Sequence, residues 1–183
     1  MVHSLGLAVV ALSGATGVGL VFLTAGLSKF RHSALLPGVV ANYRLLPPSL
    51  VAPVAAILPI AEILIGAALI LGIGPLSLAL PAVLAMLLLG LFAAAMAINI
   101  GRGRTQIDCG CGRSQLRHPI GWGLVARNMV LMGLLAPRLL PAPVLSPIDL
   151  AAGIAGGLAI FLAYVLFNSI GALIASPAAA LRR

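Results

Sequence analysis

Residues 51–72 read VAPVAAILPIAEILIGAALILG. The run is long enough to cross the hydrocarbon core of a bilayer, which takes about 20 apolar residues. Its one charged residue is Glu62. An ionisable side chain at that depth is costly, and it is retained where it has a partner or a task. Further apolar runs lie on both sides, at about 5–27, 76–100, 120–136 and 148–172. The whole chain of 183 residues is 62% hydrophobic and 8% charged, with a mean hydropathy of +1.20. A soluble domain carries about 25% charged residues. The pattern is that of an integral membrane protein. The period-two alternation of a spanning β-barrel is absent. The expectation is an all-α, polytopic helix bundle with four or five transmembrane helices, forming a single membrane domain over residues 1–183.

The first run, LGLAVVALSGATGVGLVFLTAGL, is longer than the apolar stretch of a signal peptide, which suggests an uncleaved first helix. Its small residues (Gly14, Ala15, Gly17, Gly19, Gly26) suit close helix packing. Between the first two runs, residues 28–50 hold Lys29, Arg31 and Arg44 as anchors. Leu35, Leu36, Val39, Val40, Tyr43 and Leu46 recur at helix-like intervals there. A short amphipathic segment at the membrane interface is expected, closed by Pro47 and Pro48. The fourth run is short and has Arg127 and Asn128 in its middle.

The net charge of +8 does not point to nucleic acid. The basic residues sit in short connections and at the C-terminus, and aromatic residues make up only 4% of the chain. With five crossings, the 28–50 connection, the 101–119 loop and the C-terminus share one side. That side holds Lys29, Arg31, Arg44, Arg102, Arg104, Arg113, Arg117, Arg182 and Arg183, against Arg138 alone on the other. By the positive-inside rule the loop faces the cytoplasm.

That loop contains both cysteines of the chain, in QIDCGCGRSQLRHP at 106–119. Cys109 and Cys111 are near enough to bridge, and a bridge across so small a ring is strained. Strained, accessible disulfides are the oxidising, catalytic or regulatory ones. Gly110 and Gly112 give the backbone freedom, Arg113 and Arg117 favour a thiolate, and Asp108 is a candidate proton acceptor. Other readings of the pair stay open. Cys109, Cys111, His118 and Asp108 could hold a metal, although one-residue spacing suits Cu(I) better than zinc. The cysteines could also be structural or incidental. No metal and no cofactor is expected as the leading reading. Inside the membrane, Arg127 is the expected partner of Glu62, with Asn128 satisfying remaining hydrogen bonds, so that all three hold the helices presenting the loop. Trp122 reads as a membrane-interface residue, and Lys29 as an anchor at the end of the first helix.

Taken together, FLTAGLSKF (22–30), AEILIG (61–66), DCGCG (108–112) and PIGWGLVARNMVL (119–131) resemble the MauE family of methylamine-utilisation proteins, within a wider DoxX-like membrane group. The resemblance covers about residues 15–135. It implies a multi-pass protein of the inner membrane required for maturation of the small (β) subunit of methylamine dehydrogenase, an exported protein dense in disulfides. It also implies a thioredoxin-like partner, MauD, with which a membrane thiol pair would exchange disulfides. A periplasmic partner conflicts with the cytoplasmic loop that the charges indicate. Thiols seated in a membrane-embedded cavity would reconcile the two. The alternatives are a non-enzymatic membrane scaffold or assembly factor and a small-solute or metal permease.

Overall fold

The computed structural model describes residues 2–72, 79–107, 120–140 and 145–174. Among these the secondary structure is helical: α1 (Val2–Arg31), α2 (Leu36–Asn42), α3 (Pro48–Leu71), α4 (Ala79–Gly101), α5 (Trp122–Leu135), a 3-10 turn at Ala136–Leu139 and α6 (Pro147–Ile174). Four helices are long and apolar enough to cross a membrane: Leu5–Arg31, Pro48–Leu71, Ala79–Gly101 and Pro147–Gly171. The chain is a multi-pass, all-α membrane bundle.

Local chemistry sets the helix limits. α3 starts after Pro47, which is extended, and has Pro48 in its first turn, where the missing N–H costs nothing. Its interior prolines, Pro53 and Pro59, are of the kind that membrane helices tolerate. α3 ends on Gly72 in the left-handed conformation (φ 61°), with the Gly72 N–H donated to the Ala68 carbonyl. α6 starts on a reciprocal cap. Ser146 Oγ donates to Asp149 Oδ2 at 2.7 Å, and the Asp149 N–H returns to Ser146 Oγ at 3.3 Å.

α1 is the hub, packed against α3, α5 and α6. Glycines let the backbones approach. A Cβ on Gly66 of α3 would lie 2.8 Å from the Gly19 carbonyl oxygen, and one on Gly17 of α1 would lie 2.9 Å from that of Gly157 in α6. These contacts also give the directions. Gly19 meets Gly66 and Ile70 while Gly26 meets Pro59 and Ile63, so α1 and α3 are antiparallel. Leu12 meets Gly153 and Thr16 meets Gly157, so α1 and α6 are parallel. Met132 approaches Gly90, and Leu139 shares a groove with Val83, so α5 and its 3-10 extension run antiparallel to α4.

The parallel α1–α6 pair requires a return crossing between α4 and α6. α5 has 14 residues, about 21 Å of α-helix. The four-residue 3-10 turn adds about 8 Å, which brings the pair near the thickness of a hydrocarbon core. A fifth crossing, as expected from the sequence, would be made in two pieces, neither of which is long enough alone. The outer faces remain apolar and exposed, as at Ile57, Leu64, Leu91, Val130 and Leu162, which is the surface a lipid environment requires.

The expected interfacial segment is present but short. α2 covers seven residues, with Leu36 buried and Val39, Val40 and Tyr43 half-buried, while Leu46 lies beyond it and is exposed.

Candidate functional site

Glu62 is 2% exposed, in the middle of α3. Its carboxylate takes a two-pronged bond from Lys29 of α1, with Nζ 2.7 Å from Oε1 and 2.8 Å from Oε2. The approach depends on Gly26, one turn before Lys29, where a Cβ would sit 2.9 Å from the Pro59 carbonyl and 3.1 Å from Glu62 Cβ. The ammonium also lies 5.7 Å from the centre of the Phe92 ring on α4. The sequence had assigned the acid's ion pair to Arg127 and had made Lys29 an interfacial anchor. Lys29 is not an interfacial anchor: it is 8% exposed and binds Glu62 directly. The physical reason is the long lysine stem, which carries its charge inward from near the end of α1.

Arg127 lines the same cavity as Glu62, approached from α5. Its Nη1 donates to Asn168 Oδ1 at 2.6 Å and its Nη2 to Asn128 Oδ1 at 3.2 Å. The guanidinium lies 5.1 Å from the centre of the Tyr164 ring. Asn168 is oriented in turn by donating to the Tyr164 carbonyl at 2.8 Å. Asn128 is 2% exposed. Because arginine only donates, Oδ1 of Asn128 must face it, and Nδ2 finds no acceptor among the described residues. All five long elements contribute to a cavity of about 30 Å³, bordered by Lys29, Glu62, Phe92, Arg127, Asn128 and Tyr164.

A second polar cluster lies where α4 ends. Asn99 is fully buried and donates to the Tyr43 carbonyl at 3.1 Å. Arg104 donates to Asn99 Oδ1 at 2.9 Å and to the Asn42 carbonyl at 2.7 Å. Arg104 thereby caps α2 and ties it to α4. Three residues on, the Ile107 carbonyl accepts from the Ile120 N–H at 3.3 Å. Ile120 is 2% exposed. The chain therefore leaves and re-enters the described structure at one point, at the end of the bundle that also carries Lys29, Arg31, Arg44, Arg102 and Arg104. Cys109, Cys111, Asp108, Arg113, Arg117 and His118 lie outside the described residues. Trp122 is 63% exposed at the start of α5.

Of the predicted support residues, Glu62, Arg127 and Asn128 meet around one cavity. Sequence reasoning missed Lys29, Asn99, Arg104, Tyr164 and Asn168 as members of polar networks. A signal existed for two of them, since Asn99 and Asn168 are single amides within apolar runs. Among the described residues no three potential metal ligands gather.

The family model described as methylamine utilisation protein MauE matches residues 7–141. The chain belongs to the MauE family. It is 43% identical over 166 residues to the methylamine utilization protein MauE of Paracoccus denitrificans, covering 88% of this chain and 87% of that one. It is 45% identical over 157 residues to its namesake in Paracoccus versutus (83% and 82%), and 43% identical over 149 residues to that of Methylorubrum extorquens (79% and 78%). No solved structure matches the chain. The match spans Lys29, Glu62, Arg127, Asn128 and the cysteine segment, while Tyr164 and Asn168 of the Arg127 cluster lie beyond it.

Proposed function

We propose that this MauE-family chain is an inner-membrane protein of methylamine utilisation that exchanges disulfides through Cys109 and Cys111. Its client is an exported, disulfide-containing protein such as the methylamine dehydrogenase β-subunit, and its exchange partner is a thioredoxin-like protein of the MauD kind. The observation that carries this reading is the Ile107–Ile120 hydrogen bond. It closes the base of the segment holding both thiols of the chain, at an end rich in positive charge that favours thiolates. The relatives' name supports the methylamine system.

The exchange balances without a further oxidant. One thiolate of the pair attacks a partner disulfide, forming a mixed disulfide and releasing a partner thiolate. The second cysteine attacks that mixed disulfide, closing Cys109–Cys111 and releasing the reduced partner. Two client thiols then reopen the pair by the same two steps and leave as a disulfide. Asp108 accepts a proton in this scheme, and Arg113, Arg117 and His118 tune the thiolate. Glu62, Arg127 and Asn128 hold the helices from which the loop springs.

The test is a trapping experiment in cells producing client and partner. Cys109→Ser or Cys111→Ser alone is expected to accumulate a mixed disulfide on non-reducing gels, and the double variant to leave the client reduced. Normal client disulfides in the double variant would remove the redox role. If complex formation also persisted in that case, the chain would be an assembly scaffold.

A further inference from the structure

A groove of about 500 Å³ runs along the outer face of the bundle, between α4 and the stretch where α5 gives way to the 3-10 turn. Apolar residues wall it. Val83, Met86 and Leu87 of α4 stand on one side, with Met132 and Leu139 on the other. Gly90 keeps it deep, since a Cβ there would meet only Met132, at 3.7 and 3.8 Å. Met86 and Met132 are flexible thioether side chains, which adapt to an irregular apolar occupant.

A second observation bears on the end of this groove where Val83 and Leu139 meet. Arg138 immediately precedes Leu139 in the 3-10 turn and is half-buried. It makes no hydrogen bond or ion pair among the described residues. Asp149, the described acid at that end of the bundle, is committed to the N–H and hydroxyl of Ser146. A guanidinium carries five donors and matches a phosphate in two-pronged fashion. An apolar track thus ends beside a cation that lacks an anion from the described chain.

We infer that this groove binds one diacyl phospholipid with an anionic headgroup, its tails lying along α4 and its phosphate accepting from Arg138. Size selects this occupant. From Val83 to Leu91 the groove follows α4 for about 12 Å. A partner helix about 10 Å across would need roughly 900 Å³ over that length, nearly twice the space. Two extended alkyl chains packed at carbon contact distance fill about 400–600 Å³ over the same length. Charge selects the headgroup, because a phosphate supplies the anion that Arg138 lacks. Lipid touches every outer face of the bundle, but a concave apolar track joined to such a cation holds one molecule in place. The site lies at the end away from the cysteine segment, so its test does not read disulfide exchange.

The experiment titrates the full chain, delipidated in detergent, with phosphatidylglycerol and reads bound lipid by native mass spectrometry. One tightly held phosphatidylglycerol per chain is expected, and inorganic phosphate alone should not be retained. Arg138→Gln removes the cation and Gly90→Leu fills the groove, and each is expected to weaken lipid binding at least tenfold. Unchanged binding in Arg138→Gln would overturn the phosphate contact, and unchanged binding in Gly90→Leu would overturn the seat of the tails. A dimer of the chain that excludes lipid and falls apart in Gly90→Leu would make the groove a helix-docking face, which also overturns the proposal. Should Gly90→Leu fail to fold, phosphatidylglycerol with a photoreactive diazirine on its tail decides on the unaltered chain. Crosslinks are expected to concentrate on residues 83–91 and on Met132. Labelling spread evenly over the outer faces of all helices would overturn the site.

Discussion

At the scale of single residues, the Lys29–Glu62 pair dominates. Both side chains are almost fully buried, with a two-pronged geometry at 2.7 and 2.8 Å. Removing one member of a buried pair strands the other, which costs about 3–5 kcal/mol, whereas replacing both by apolar residues of similar volume is often neutral. Glu62→Gln and Lys29→Met are therefore each expected to lower unfolding stability by about 3 kcal/mol or more. The double variant Lys29→Met/Glu62→Leu should recover most of the loss, measured by thermal or denaturant unfolding in detergent. A double variant no better than the worse single one would mean that the pair shapes the fold rather than merely neutralising itself. The importance of Glu62 was legible because an acid inside VAPVAAILPIAEILIGAALILG has no other excuse. Its bond to Lys29 was not legible. Lys29 lies near a helix end, where lysines usually face headgroups, and only the close approach at Gly26 turns it inward.

At the scale of elements, backbone contact at glycine decides how α1 seats its neighbours. A methyl at Gly66 would meet the Gly19 carbonyl oxygen at 2.8 Å and the Leu23 nitrogen at 2.9 Å, atoms that cannot rotate away. Gly66→Ala is expected to destabilise by about 1–3 kcal/mol, as overpacking does. Gly133 of α5 has nothing within 4 Å of its would-be Cβ. Gly133→Ala should be neutral or stabilising by up to about 1 kcal/mol through helix propensity, and serves as the control in the same unfolding assay. The close-packing role of the first helix was readable from its small residues. Less readable was the joint between α2 and α4, because Arg104 reads as one more loop cation until its bonds to Asn99 and Asn42 are seen. Arg104→Ala should release α2 and speed amide exchange over residues 36–43. Unchanged protection there would show that the buried Leu36 alone holds the segment.

At the scale of the whole molecule, the open question is which way the bundle faces. Length and composition favoured four or five crossings, and the count turns on α5. Taken as a helix it is too short to span, yet it is followed by a 3-10 turn and joins two antiparallel neighbours, so it returns the chain to the far end. Periodicity could not reveal this, because PRLLPAPVLSP reads as a plain connector. Five crossings put α2, the Ile107–Ile120 hydrogen bond and the end of α6 together, and Lys29, Arg31, Arg44, Arg102 and Arg104 gather there, with Arg127 inside the bundle and Arg138 at the opposite end. By the positive-inside rule this end is the one expected to face the cytoplasm. In a background carrying Cys109→Ser and Cys111→Ser, one new cysteine at each end tests this. Ile148→Cys, at an exposed position near the start of α6, should react with a membrane-impermeant maleimide in spheroplasts. Ala41→Cys, exposed in α2, should react only after lysis. The reverse pattern would place this end outside, where an exported client could meet the thiols directly. Under the proposed exchange, the expected pattern requires the thiol pair to take electrons from the exported client by way of the far face and to pass them on to its oxidising partner.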